Sequence, residues 1–140
     1  MRTVVVDTGP IVASLHRRDR YHEWAWQVLS ELPAPLLTCE AVLSEACFLL
    51  RRIPRGQEAV LELLARGLLR VPFRLADEQA AVAGLLRRYA SVPMSLADAC
   101  LVRMTEQLDD VVLVTLDSDF RIYRRHGRRT VPVRMPDRDR

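Results

Sequence analysis

Two short apolar segments of the chain each end on a carboxylate. Val4, Val5 and Val6 lead into Asp7, and residues 111–116 lead into Asp117. Short runs of β-branched and aliphatic residues are typical of strands buried on both faces of a parallel sheet. Parallel strands end at the same edge of a sheet, where open α/β proteins bind their ligands. We therefore expect Asp7 and Asp117 to lie close together.

Two further acids stand inside predicted helices. Glu45 has apolar neighbours one turn away on both sides, so it shares an apolar face, where a carboxylate needs a charged partner or partial exposure. Asp98 shares a face with Leu101 and Val102 that is expected to pack on the sheet near the strand ends. Each acid also has an ordinary structural role open to it: Asp7 as a helix cap, Asp98 in a Ser-x-x-Asp capping box and Glu45 in a salt bridge.

Together, the four carboxylates are suited to binding a hard divalent cation. Clustered carboxylates repel one another and raise each other's pKa unless a cation is present. Sites rich in oxygen ligands select Mg²⁺ or Mn²⁺, and such ions can activate a water for in-line attack on a phosphodiester. The acidic set therefore points to metal-dependent phosphodiester hydrolysis.

The elements that would hold these acids alternate between strands and helices. Apolar periodicity and Pro or Gly breaks predict helices over residues 11–18, 21–32, 40–52, 55–66, 76–90 and 95–107. Strands are predicted at 4–6, 36–38, within 68–73 and at 111–116, with a last edge strand at 130–133, where Pro132 argues against a central position. The pattern predicts an α/β fold, a three-layer α/β/α domain with a mostly parallel central sheet.

Composition favours one compact domain. The chain has 140 residues, of which 49% are hydrophobic, and we expect a single domain over residues 1–135 with a loose tail at 136–140. No apolar run approaches the roughly 20 residues that span a bilayer, and no signal peptide is evident, so we expect a cytoplasmic protein without a membrane partner. The three cysteines and the loosely spaced histidines lack the spacing of a disulfide framework or a zinc site.

Arginines are concentrated near the C-terminus. The net charge is +3, and all 21 basic residues are arginines, which bind phosphate through paired hydrogen bonds. Residues 120–134 contain no acid, and within this patch we take Arg121, Arg124 and Arg125 as candidate RNA-binding residues. A solvated charged surface is the alternative interpretation of the patch.

Four motifs, in this order, resemble those of PIN-domain ribonucleases, most closely the VapC-like toxins of bacterial toxin–antitoxin pairs. They are Val-Val-Asp-Thr-Gly-Pro at 5–10, Val-Leu-Ser-Glu-Ala at 42–46, Leu-Ala-Asp-Ala at 96–99 and Thr-Leu-Asp-Ser-Asp-Phe at 115–120. The resemblance covers nearly the whole chain. One departure is Leu116, where the family often has Asn.

The resemblance implies metal-dependent cleavage of RNA, homodimerisation and inhibition by a small antitoxin protein. It assigns catalysis and the binding of Mg²⁺ or Mn²⁺ to four acids, Asp7, Glu45, Asp98 and Asp117. It gives supporting roles to Thr8, Thr115 and Asp119. Asp119 is also suited to cap a short helix expected within residues 117–124.

Other functions fit parts of the same sequence. A PIN-domain RNA-processing nuclease without an antitoxin would use the same residues, whereas a non-catalytic RNA-binding module would not need the intact acidic set. An aspartic protease needs two Asp-Thr-Gly carboxylates, so a single copy in a helix-rich chain argues against that class. The chain also lacks a P-loop and a Gly-x-Ser-x-Gly elbow.

Overall fold

The computed structural model describes residues 2–137, and within them the main sheet has five strands. The strand order is β3-β2-β1-β4-β7, and every neighbouring pair is parallel. The bounds are β1 Thr3–Val6, β2 Leu36–Leu37, β3 Leu69–Arg70, β4 Val111–Val114 and β7 Val133–Arg134. Two further strands, β5 Arg124–Arg125 and β6 Arg129–Thr130, form a separate antiparallel hairpin.

Helices cover the sheet and complete the predicted three-layer α/β/α fold, which is confirmed. Their bounds are α1 Thr8–Leu15, α2 His22–Glu31, α3 Glu40–Leu49, α4 Gly56–Ala65, α5 Leu75–Arg88 and α6 Leu96–Glu106, with a 3-10 helix at Ser118–Arg121. In the part of the chain that is described, every helix is too short or too polar to cross a membrane.

The register between β1 and β4 fixes the edge where the acids were expected. Val6 pairs with Val114, and the amide of Asp7 donates to the carbonyl of Val114 at 3.0 Å. Both strands are almost wholly buried, as the apolar runs predicted. A slip of one residue would break the Asp7 to Val114 hydrogen bond and would move Asp7 out of line with the end of β4.

Several predicted boundaries are wrong at their ends. The first helix begins at Thr8 and ends at Leu15, not at residues 11 and 18, because the Asp7 side chain caps it at the strand end. The third helix ends at Leu49, before residue 52. The three cysteines are free, as expected.

The predicted edge strand at 130–133 is divided by Pro132. β6 ends at Thr130 and β7 begins at Val133, since proline has no N–H for a ladder hydrogen bond. The Pro132 carbonyl still accepts from the Leu113 amide at 2.8 Å, which starts the pairing of β7 with β4. Of the predicted tail at 136–140, residues 138–140 lie outside the described residues.

Candidate functional site

Asp7 follows the carboxyl end of β1 and is 7% exposed. We name this end of the sheet, with Asp7, Glu45, Asp98 and Asp117, the acidic edge. Its Oδ1 accepts from the Thr8 amide at 2.7 Å, which is the helix-cap role that the sequence left open. Its Oδ2 accepts from the Thr115 hydroxyl at 2.7 Å. Both oxygens of this buried carboxylate are therefore held in place by short hydrogen bonds from two different elements.

The Thr115 hydroxyl also connects Asp7 to Asp117. It accepts from the Asp117 amide at 2.9 Å while it donates to Asp7. The Asp117 side chain in turn accepts from the Asp119 amide at 2.9 Å and caps the 3-10 helix. The predicted capping role of Asp119 is therefore wrong: Asp117 is the cap because its carboxylate precedes the first free amides of that helix.

Leu116, the departure from the motif of the resembled family, has a packing role. A Cβ built on Gly9 would lie 3.1 Å from Leu116 Cδ1, closer than ordinary van der Waals contact. Gly9 therefore lets the Leu116 side chain cover the first turn of α1.

Asp98 is half-buried at the start of α6, and both partners of its predicted capping box are present. The Asp98 amide donates to Ser95 Oγ at 3.0 Å, and the Ser95 amide donates to Asp98 Oδ2 at 3.2 Å. The same Oδ2 accepts from the Tyr123 hydroxyl at 3.1 Å. Capping and a place in the acidic cluster are thus compatible, because the bonds converge on one oxygen and leave Oδ1 outside them.

Tyr123 was not identified from the sequence as a site residue. Its side chain is fully buried and packs edge-to-face against Tyr89 and Phe120, with ring centroids 5.1 and 5.3 Å away. Its spacing of three residues from Phe120 indicated a shared helical face. Nothing in the sequence indicated that its hydroxyl would reach Asp98, which is 25 residues away along the chain.

Glu45 is exposed, which was one of the alternatives that the sequence left open for a carboxylate on an apolar face. α3 buries Val42, Leu43 and Ala46 instead, while Phe48, one turn after Glu45, is 60% exposed. Glu45 lines a depression of about 470 Å³ together with Ser44, Phe48, Ser95 and Leu96. This carboxylate therefore forms the solvent-facing side of the acidic cluster.

The four acids act on one another electrostatically. Burial, with the charges of Asp98 and Asp117, raises the pKa of Asp7 to about 6, against the opposing hydrogen bonds from Thr115 and Thr8. Burial and the charges of Asp98 and Asp117 also raise the pKa of Glu45, an effect that the nearby Thr8 hydroxyl partly offsets. The pKa of Asp98 rises mainly through burial and further through Asp117. The residues expected at one edge are therefore brought together.

No arginine pairs with any of these four acids among residues 2–137, although the chain contains 21. The ion pairs join other acids, such as Arg103 to Glu78 at 2.7 Å. The Thr8 hydroxyl is buried beside the cluster and has no close hydrogen-bond partner in the described part of the chain. Uncompensated acids and an unused hydroxyl oxygen are the donor set that a hard cation requires.

The carboxylates do not close into ligand geometry on their own. Within residues 2–137, no three Asp, Glu, His or Cys side chains converge closely enough to hold a metal ion. The acids fit a cation by charge and by ligand type.

The predicted RNA-binding arginines divide into two groups. Arg121 is exposed, whereas Arg124 Nη1 donates to the carbonyls of Arg121, Ile122 and Tyr123 at 2.7, 3.2 and 3.0 Å. Arg125 Nη2 donates to the Thr105 and Leu108 carbonyls at the end of α6. Arg124 and Arg125 therefore hold the C-terminal segment together, and their RNA-binding role stays a prediction.

A separate depression of about 300 Å³ is lined by apolar side chains and two serines, among them Ile11, Leu15, Trp26, Leu29 and Leu63. Its lining contains no ionisable side chain. This depression therefore offers no group for acid–base chemistry or for binding a metal ion.

Comparison with known proteins identifies one family. A family model described as PIN domain matches residues 4–125. Among solved structures, the chain is similar to Mycobacterium tuberculosis VapC20, described as a sarcin–ricin loop cleaving toxin, with a TM-score of 0.76 and 24% identity over 84% of this chain and 92% of that chain. None of the curated proteins matches.

The raised pKa of Asp7 predicts a pH-dependent cost to stability. The folded chain binds the carboxyl proton of Asp7 more tightly than the unfolded chain does. The contribution of protonated Asp7 to the free energy of unfolding is therefore fully present below its ordinary pKa of 3.8 and is lost as the pH rises to about 6. In EDTA, Asp7→Asn should therefore gain stability over the wild type between about pH 4 and pH 7, by up to roughly 3 kcal/mol. Urea unfolding across this range measures the difference.

Asp109→Asn is the matched control, because Asp109 is exposed and precedes β4, at the amino ends of the strands and away from the acidic edge. Its stability relative to the wild type should not change with pH. A difference between Asp7→Asn and the wild type that is constant from about pH 4 to pH 7 would contradict the buried, uncompensated charge of Asp7.

Proposed function

The chain belongs to the PIN domain family, and on that basis we propose that it is a Mg²⁺- or Mn²⁺-dependent endoribonuclease that hydrolyses RNA phosphodiester bonds. One observation carries the proposal: the charges of Asp98 and Asp117 help to raise the pKa of Asp7 and of Glu45, that of Asp117 helps to raise the pKa of Asp98, and no arginine among residues 2–137 neutralises these acids. Strongly perturbed carboxylates gathered at one place are typical of functional sites.

These four acids would hold the metal ion. When bound, the ion would activate a water and stabilise the charge that develops on the phosphate. Thr115 and Thr8 hold the Asp7 carboxylate, and Ser95 and Tyr123 hold that of Asp98. Orienting partners of this kind typically decide the affinity of a metal site, because they fix the ligand before the ion arrives.

Glu45 would define the side from which RNA approaches. It is the exposed acid of the four and lines the open depression, whereas Asp7 is buried. In hydrolysis, the water oxygen would form a bond to phosphorus while the bond from phosphorus to the leaving oxygen breaks, the water would release a proton to solvent, and the leaving oxygen would take up a proton from solvent.

Cleavage of RNA by acid variants tests the proposal. With a single-stranded RNA of mixed sequence and Mn²⁺, Asp7→Asn, Glu45→Gln, Asp98→Asn and Asp117→Asn should each lose on the order of 100-fold in rate, the typical cost of removing one group that stabilises transition-state charge. EDTA should abolish wild-type cleavage. Gel analysis of the labelled RNA measures both effects.

Asp109→Asn again serves as the control and should cleave like the wild type. Thermal melts must show that the variants fold, because Asp98→Asn also alters a helix cap. Cleavage by the wild type that persists in EDTA, or cleavage by Asp7→Asn at the wild-type rate, would contradict a metal–carboxylate mechanism. Folded wild-type protein that binds RNA but does not cleave it with Mn²⁺ would favour the non-catalytic module.

We also propose that the chain acts in the cytoplasm as the toxin of a toxin–antitoxin pair and forms a homodimer. Support comes from the four motifs and from the fold that it shares with the VapC20 toxin. Co-expression with the product of an adjacent small gene should yield a complex that no longer cleaves RNA, and light scattering should give twice the chain mass. Cleavage unaffected by every neighbouring gene product would favour an RNA-processing nuclease.

A further inference from the structure

The proposed nuclease needs a surface that holds RNA beside the acids, and Arg124 and Arg125 donate to backbone carbonyls instead. A different basic pocket lies at the carboxyl end of β7. It has a volume of about 430 Å³ and is lined by Arg20, Tyr21, Trp24, Arg134 and residues 135–137. We name it the β7 pocket.

The sheet places the β7 pocket next to the acidic edge. Arg134 pairs with Val114 in the sheet, and its carbonyl accepts from the Thr115 amide at 3.1 Å. Thr115 is the residue whose hydroxyl donates to Asp7. Only β4 separates β7 from β1, so two strand spacings, about 10 Å, separate Arg134 from the Asp7 position. A short stretch of single-stranded RNA can reach from the β7 pocket to Asp7.

The side chains of the β7 pocket have the chemistry of a nucleotide site. Tyr21 and Trp24 are partly exposed rings, and the Arg20 guanidinium lies 5.2 Å from the Tyr21 ring centroid. Aromatic faces stack on unpaired bases of any sequence, and guanidinium groups pair with phosphate oxygens. The two guanidinium groups outnumber the one carboxylate in the lining, that of Asp137.

Arg134 keeps its guanidinium accessible. Its ion pair with Glu31 has an Nη2 to Oε2 distance of 3.9 Å, and both side chains are about half exposed. Such a pair is weak, because solvent screens the charges, so a phosphate can compete for Arg134.

The loop that carries Arg20 and Tyr21 is held in place before any ligand binds. The Tyr21 amide donates to Asp19 Oδ1 at 2.8 Å, and the His22 amide donates to the Asp19 carbonyl at 3.0 Å. His22 Nδ1 is hydrogen-bonded to the Ala13 carbonyl at 2.7 Å. A pocket fixed in this way loses little conformational freedom when a base enters it.

From these contacts we propose that Arg20, Tyr21, Trp24 and Arg134 form a subsite that binds an unpaired nucleotide of the RNA strand next to the scissile bond. The inference rests on the proposed nuclease function, which sets the path of the RNA strand across the acidic edge. The subsite selects single-stranded over double-stranded RNA, because bases in a duplex are already stacked and paired and cannot enter the β7 pocket.

Fluorescence anisotropy with a labelled single-stranded RNA of mixed sequence, in EDTA, tests the subsite in the intact protein. The double variant Arg20→Gln/Arg134→Gln should bind at least about tenfold more weakly, and the slope of log affinity against log salt should fall by about 1 to 2 as phosphate contacts are lost. The control is Arg2→Gln/Arg66→Gln, which removes two exposed arginines that each form a weak ion pair before β1 and β3, at the opposite edge.

Trp24→Leu tests the stacking role separately from charge. It should weaken binding of the single strand about tenfold, the typical cost of one lost base–aromatic stack, and leave binding of the matching duplex unchanged. Trp24→Phe keeps a ring and should restore most of the affinity. Thermal melts check that both variants fold, since Trp24 also packs against the core.

Any of three binding results would overturn the subsite: no saturable RNA binding by the wild type, equal losses of affinity in the β7-pocket and control double variants, or an equal loss of single-strand and duplex binding in Trp24→Leu. A change of oligomeric state in these variants with unchanged RNA affinity would likewise overturn it and assign the β7 pocket to a protein contact. The two proposals can fail separately. Wild-type protein that binds RNA through the β7 pocket but cleaves none with Mn²⁺ removes the nuclease function alone.

Discussion

The Thr115 hydroxyl joins the two strand ends on which the acidic site is built. It donates to Asp7 and accepts from the amide of Asp117, so one side chain sets the positions of two acids on neighbouring strands. This bridge exists only in the observed register, with Val6 beside Val114. The buried valines of β1 and β4 therefore do more than form a core: they hold the carboxylates in one place, where their charges act on each other.

That arrangement works against the stability of the metal-free chain. Asp7 is buried among acids, and its pKa rises to about 6 because burial and the neighbouring negative charges disfavour its ionised form. Arginines that could have neutralised the cluster pair with other acids or with backbone carbonyls. A site kept anionic at a cost in stability is typical of a place where function, and not folding, selects the residues.

The sequence allowed the sheet and the positions of Asp7 and Asp117 to be predicted, because uninterrupted apolar runs signal buried parallel strands, and such strands end at one edge. The sequence left the exposure of Glu45 undecided because α3 is apolar on most sides, and periodicity does not tell which side packs inwards. The contact between Tyr123 and Asp98 and the internal bonds of Arg124 and Arg125 depend on how the C-terminal segment folds back onto α6. The β7 pocket joins residues 20–24 to residues 134–137, and no local pattern indicates that pairing.

The central claim is that the uncompensated carboxylates form one cation site, and stabilisation by Mn²⁺ tests it most directly. A ligand that binds only the folded state stabilises it by about 2.7 kcal/mol at 100 times its dissociation constant. In urea unfolding near neutral pH, we predict that Mn²⁺ stabilises the wild type and Asp109→Asn, and stabilises Asp7→Asn far less. Equal stabilisation of the wild type and Asp7→Asn, or none of the wild type at millimolar Mn²⁺, would contradict the account.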